Sequence, residues 1–309
     1  MQDRNASTAV PGDAAAAPEA QLTRFTPLLR RVIADNGGPF TFTGTCSYVV
    51  GQGKVAIVDP GPAGKEAHVA ALLDAVRGET VSHIVVTHTH RDHSPAARAL
   101  KTMTGAPIVG CGPHRPARPR PAAAKVGLDT GGDRDHEPDL LMQEGDTITG
   151  PGWTLAAIAT PGHTANHLAF TLREENALLS GDHVMAWSTT IVAPPDGSMA
   201  DYMASLQHLL SFEHAIYWPG HGGPVREPAR YVRGLAAHRR QREHLIREAV
   251  KGGARGIKAI VEAAYPAIAP ALAGAASLST LAHLEWLVER GELVSDNGQI
   301  SFEALYRPA

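Results

Sequence analysis

Three histidines and an aspartate crowd into six positions of the run Val85-Val86-Thr87-His88-Thr89-His90-Arg91-Asp92-His93. The apolar residues ahead of them read as a strand, so four metal-capable side chains emerge together at its end. Alternate side chains of an extended segment share a side. His88 and His90 can therefore converge on one ion while the following turn swings Asp92 and His93 towards another. Imidazole and carboxylate suit zinc, iron or manganese, and the lack of thiolate argues against a structural zinc finger. The competing reading is an exposed polar turn, but so many groups that are costly to desolvate rarely converge without a metal.

Three further signals recur at the ends of strand-like runs: Thr160-Pro161-Gly162-His163-Thr164, Ser180-Gly181-Asp182-His183, and Tyr217-Trp218-Pro219-Gly220-His221-Gly222. Glycine before each ligand permits a sharp turn that residues bearing a Cβ resist. Asp182 has two oxygens, enough to bridge cations about 3.5–4 Å apart. Taken singly, His163 and His221 could be ordinary surface histidines. Their recurrence after Pro-Gly, together with the upstream cluster, makes them ligands.

The run His88-Thr89-His90-Arg91-Asp92-His93 resembles the His-x-His-x-Asp-His motif of the metallo-β-lactamase superfamily, and the resemblance extends over about Thr41 to Gly223. It implies an α/β fold, a four-layer αββα sandwich. It also implies one metal site of His88, His90 and His163, a second of Asp92, His93 and His221, and Asp182 shared between them. The cofactor implied is two zinc ions, with iron or manganese as alternatives. Asp59 in Val58-Asp59-Pro60-Gly61 matches a family carboxylate that orients ligands rather than ligating. The stretch His238-Arg239-Arg240-Gln241-Arg242-Glu243 and the helical C-terminus look like the lactamase-beta-2-like branch. Ser188-Thr189-Thr190-Ile191-Val192, Pro194-Pro195-Asp196-Gly197 and Tyr202-Met203-Ala204-Ser205-Leu206 strengthen that likeness. Activities in the branch include single-strand RNA cleavage and acyl-thioester hydrolysis. Cys46 departs from the pattern, standing where many members have Asn.

The chemistry expected is hydrolysis. Paired cations lower the pKa of a shared water from 15.7 towards about 7, and Asp92 serves as the catalytic residue that accepts or relays a proton. Cys46 is a weaker candidate nucleophile. The favoured substrate is an ester, thioester or related small molecule. A single-strand endoribonuclease is the second reading, and a metal-sensing or DNA-binding regulator the third. His167 and His183 sit beside ligands but stay outside the metal set, and Trp187 and Tyr202 are either pocket walls or core. His68, His83, His208, His214, His238, His244 and His283 read as scaffold.

The elements that must position these residues follow from punctuation and period. Val55–Asp59, His83–Thr87, Pro107–Gly110, Leu155–Thr160, His167–Leu172 and Ala177–Ser180 read as strands; residues 65–77 and 94–103 read as helices stopped by Gly78 and Gly105. Domain boundaries fall at 1–36 for a partly flexible leader or arm, 37–226 for the catalytic domain and 227–309 for a long helix plus a small, mostly helical domain. In that tail, residues 228–251 form the helix, three short helical patterns follow, and strands at 292–294 and 299–302 flank an Asn297-Gly298 turn. Helices followed by a hairpin look like a winged helix. From Gly256 onward three basic residues face six acidic ones, which argues against DNA and favours a structural or homodimer-forming role.

A net charge of −3 gives no global attraction for nucleic acid or anionic lipid. Two cysteines and no 20-residue apolar run fit a cytoplasmic protein without a membrane span, and Met1 to Ala20 lacks the pattern of a signal peptide. Gly112–Asp139 is an irregular insertion, either a lid or a solvated excursion. Its basic residues Arg115, Arg118, Arg120 and Lys125 read as solvated, with phosphate binding as the alternative.

Overall fold

Runs of aliphatic and β-branched residues, broken by glycine and proline, build two sheets in a computed structural model that describes residues 22–118 and 131–309. The first sheet has seven strands in chain order: β1 (Thr23–Arg24), β2 (Leu29–Ile33), β3 (Cys46–Val50), β4 (Lys54–Val58), β5 (Thr80–Val86), β6 (Ile108–Gly110) and β7 (Leu140–Leu141). Pairing is antiparallel from β1 to β4 and parallel from β4 to β7. Parallel neighbours need crossovers, and helices α1 (Glu66–Ala75) and α2 (Ala96–Thr104) supply those from β4 to β5 and from β5 to β6. Gly105 ends α2 in the left-handed region, φ 72°, its N–H returning to Lys101 O.

The second sheet places β8 (Thr147–Gly150), β9 (Trp153–Ala159), β10 (Leu168–Leu172), β11 (Ala177–Gly181) and β12 (Ile216–Pro219) in the order β12-β11-β10-β9-β8. Its side chains alternate as a pleat requires. Leu155, Ala157, Phe170, Leu179 and Trp218 point into the core shared with the first sheet. Ile158, Ala169, Leu178 and Tyr217 point to the other face, against α3 (Met199–Leu209) and α4 (Pro228–Lys251). Helices, sheet, sheet, helices make the four layers expected.

Within 1–36, β1 and β2 belong to the first sheet, and all of Leu29–Ile33 is buried. Two arginines break the apolar pattern of this strand. Arg30 is satisfied by Ala75 O at 2.9 Å, Gly51 O at 3.0 Å and Glu79 Oε2 at 2.6 Å, and Arg31 by Gly222 O at 3.0 Å. Residues 1–21 lie outside the described part.

The C-terminal region continues with α5 (Ile257–Ala264), α6 (Ala273–Glu289), β13 (Leu293–Ser295) and β14 (Tyr306–Pro308). Two readings change here. The helical patterns after α5 merge into one seventeen-residue helix behind a 3-10 turn at Pro270–Leu272. The partner of β13 is β14, not the 299–302 segment. Gly298 does turn the chain, with φ 69°. The buried ring of Tyr306 fixes the returning strand further on, its hydroxyl bonded to Ser301 O at 2.9 Å.

Within the insertion, Ala117 N–H donates to Pro195 O at 2.8 Å, and Arg115 Nη2 to Ala165 O at 3.0 Å. Arg118 bonds Asp201 at 2.7 Å and Glu289 at 2.9 Å, so it is bound to the protein rather than solvated or free for phosphate. Arg120 and Lys125 lie outside the described residues. Among the described residues no helix is long and apolar enough to cross a membrane.

Candidate metal centre

All the ligand-bearing turns lie at one end of the two sheets. β4, β5 and β6 run parallel, as do β11 and β12, and β9 shares their direction because β10 opposes both β9 and β11. Main-chain bonds tie the sheets there: Cys46 N–H to Gly220 O at 2.7 Å and Leu168 N–H to Thr87 O at 2.8 Å.

The seven predicted residues meet in this cleft. Ring centroids of His88 and His163 lie 5.0 Å apart, His90 and His163 4.5 Å, and His93 and His221 5.1 Å. Ligand atoms of His88, His90 and His163 fall within 4.8 Å of one another, and so do those of Asp92, His93 and His221. Asp182 joins the two groups: Oδ2 lies 3.7 Å from His163 Nε2 and 3.4 Å from His221 Nε2, and Oδ1 3.5 Å from His93 Nε2. Either cluster can hold a metal ion.

Partners on the far side of each ring set its tautomer. His163 Nδ1 donates to Ile191 O at 2.6 Å, His221 Nδ1 to Gly44 O at 3.1 Å, and His93 Nδ1 to Asp59 Oδ2 at 2.9 Å. Each ring thereby keeps Nε2 for the cleft. The Nε2 atoms of His88 and His163 and Asp182 Oδ1 are buried without a hydrogen bond. Buried polar atoms are almost always satisfied, so unsatisfied acceptor lone pairs aimed at one another fit a cation. Asp59 also lies within ligand distance of His88 and His93. Its oxygens, however, already accept from Thr87 N–H and Thr87 Oγ1, both at 2.8 Å, and from His93, which makes it the orienting carboxylate expected.

Electrostatics divide the cleft. Burial, then the neighbouring imidazoles His93 and His90, hold His88 well below the ordinary histidine range. Burial and His90 bring His163 down to about 4. Burial also opposes charge on His93, but Asp92, Asp182 and Asp59 outweigh it and push that ring well up. His221, against the same burial, is pushed up to about 10 by Asp182 and Asp92. Asp92 and Asp182 are held well below the carboxylate range by His93 and His221, in spite of their own burial. Carboxylates thus concentrate negative potential on the Asp92, His93 and His221 side.

Some residues of the site carried no sequence signal. Asp196, buried after Pro194-Pro195, lies with Oδ2 3.4 Å from His90 Nε2 and Oδ1 3.3 Å from His114 Nε2. Its only hint was its place in the branch-like Pro-Pro-Asp-Gly run. His167 accepts Asp182 N–H at 3.1 Å, so it orients the main chain of Asp182. His183 is buried, its ring 4.6 Å from that of Tyr202. Tyr202 is core rather than pocket wall, and Trp187 stacks on Phe42 at 5.1 Å. Cys46 is a buried free thiol.

Known proteins share the sequence pattern and the fold. The sequence pattern of the metallo-beta-lactamase superfamily matches residues 40–221, and that of the beta-lactamase associated winged helix domain matches 257–300. A beta-lactamase-like protein 2 homolog of Caenorhabditis elegans is 32% identical over 238 residues, 74% of this chain and 73% of that one. An atrochrysone carboxyl ACP thioesterase of Paecilomyces divaricatus is 30% identical over 234 residues, 74% of this chain and 67% of that one. A beta-lactamase domain protein of Burkholderia ambifaria superposes with TM-score 0.78 at 23% identity, covering 96% of this chain and 95% of that one. With its paired sheets and its strand-end histidines, this chain belongs to the metallo-beta-lactamase superfamily and carries the winged helix domain associated with it.

Proposed function

We propose that the chain is a hydrolase with two zinc ions at this centre, acting on an ester, thioester or related small carbonyl substrate. One observation carries the reading: His93 Nε2 and His221 Nε2 face each other at 3.2 Å while both Nδ1 protons point outward, to Asp59 and Gly44 O. Two ring nitrogens so placed need a cation or a proton between them. When bound, zinc supplies Lewis acidity and brings the pKa of water from 15.7 to about 7.

The chain's own residues do the rest. His88, His90 and His163 form one ligand set, Asp92, His93 and His221 the other, and Asp182 spans both. Asp92 has the most open side chain of the seven, 27% exposed, with Oδ2 3.1 Å from His221 Nε2. At the mouth of the cleft this carboxylate can take a proton from the attacking water and return it to the departing group. Thr45 Oγ1, 3.5 Å from Asp92 Oδ2, steadies it. No serine or cysteine nucleophile is required. A thioester is favoured among the substrates because a relative 30% identical bears a thioesterase name.

The test is a panel of thioester, lactone, β-lactam, phosphodiester and RNA substrates on zinc-replete protein, with His90→Ala as control. Turnover of small thioesters that is insensitive to salt and lost in the control is expected. RNA cleavage with steep salt dependence and no thioester turnover would overturn the substrate assignment.

A further inference from the structure

We infer that Arg239 is a positioning residue through which the C-terminal domain holds the loop that carries and orients metal ligands; the inference rests on the metal centre proposed above. Arg239 lies on α4 and is 3% exposed. Nη1 donates to Ser279 Oγ on α6 at 3.1 Å, and Nη2 donates to the carbonyl of Thr190. Its guanidinium carbon sits 5.3 Å from the centre of the Tyr202 ring, and Nε is buried without a hydrogen bond. The charge is thus buried against a hydroxyl, a carbonyl and an aromatic face, all neutral. Burying a cation in such company costs stability, and an apolar side chain of similar length would avoid that cost. What the guanidinium adds is a grip on two separate elements at once.

One of those elements leads straight to the cleft. Thr190 Oγ1 donates to Asp182 O at 2.7 Å and lies 3.1 Å from His183 O. The next carbonyl, Ile191 O, accepts the Nδ1 proton of His163 at 2.6 Å. Holding Thr190 therefore fixes the main chain of the shared carboxylate Asp182 and the acceptor that sets the tautomer of His163. Ser279 ties the same guanidinium to the helical core of the C-terminal domain. The domain acts, on this account, as a brace for the ligands His163 and Asp182. Groups that orient ligands are commonly worth 10–100-fold in metal affinity, at about that order of magnitude.

The experiment compares wild type, Arg239→Met and Arg242→Met by chelator competition for zinc and by the visible absorption of the cobalt(II)-loaded proteins. Arg242 lies on the same helix, stacks 4.5 Å over Tyr265 and bonds Ala264 O at 3.2 Å, so its loss loosens the C-terminal domain without touching residue 190. Arg239→Met is expected to weaken zinc binding about tenfold or more and to shift the cobalt bands, while Arg242→Met leaves both unchanged. If Arg239→Met does not fold, Thr190→Val keeps the shape, removes the hydroxyl and is expected to give the same shift. A variant at 239 or 190 that folds and matches wild type in affinity and spectrum overturns the inference alone. Wild-type protein that takes up no metal overturns the centre and this inference with it.

Discussion

His93 is held between Asp59 and His221: Nδ1 donates to Asp59 Oδ2 at 2.9 Å, and Nε2 faces His221 Nε2 at 3.2 Å. The bond to Asp59 decides which ring nitrogen carries the proton and which is presented to the cleft. Asp59 is itself locked by Thr87 and sits at φ 50°, a conformation tolerated best by Asp, Asn and Gly.

Asp59→Asn should keep the backbone and spoil the tautomer, since an amide can turn its NH2 towards His93 Nδ1. Zinc affinity is expected to fall about 10–100-fold with little change in thermal stability of the metal-free protein. Chelator competition beside a melting curve measures both.

Gly220 tests how closely the cleft is built. A Cβ there would collide with Asp182 Oδ1 and come within 2.7 Å of His93 Cε1, while nothing in the backbone forbids alanine. Gly220→Ala is expected to fold and to lose most of its metal and activity. Equilibrium dialysis against zinc, followed by elemental analysis, reads the outcome.

Acid stability is set in part by buried neutral histidines. His283 on α6 is fully buried, neither ring nitrogen makes a hydrogen bond, and burial, with Arg239 nearby, brings it down to about 3. Its folded pKa is depressed, so the unfolded chain binds the extra proton first. The stabilisation is complete above about pH 6.5 and is lost as pH falls towards the folded value, on the order of 5 kcal/mol in all. His283→Leu should move the acid-unfolding midpoint to lower pH and alter stability little at pH 8. Circular dichroism across pH 3–8 checks it; an unmoved midpoint contradicts it.

Much of the site was legible because its residues are punctuated. Each predicted ligand follows a glycine or falls in a dense cluster at the end of an apolar run, and strand-end geometry does the rest. What stayed hidden were polar residues that work from inside. Arg30 and Arg31 disguised β2, since their charges are satisfied by carbonyls distant in sequence. Arg239 stood out only as part of the branch-like run His238–Glu243, and its burial against Thr190 shows only in the fold. Asp196 and His114 become site residues only in the fold, which sets Asp196 3.4 Å from His90 and 3.3 Å from His114. The second strand of the C-terminal hairpin was misplaced because the Asn-Gly turn was read as the whole loop, whereas the register is set by Tyr306.

The most direct test is a count of metal ions. Chelator-stripped protein titrated with zinc and analysed for bound metal should take up two equivalents per chain, with uptake reduced in the His163→Ala and His221→Ala variants. Protein that binds no zinc, iron or manganese, or that binds as much after both ligands are removed, contradicts the account.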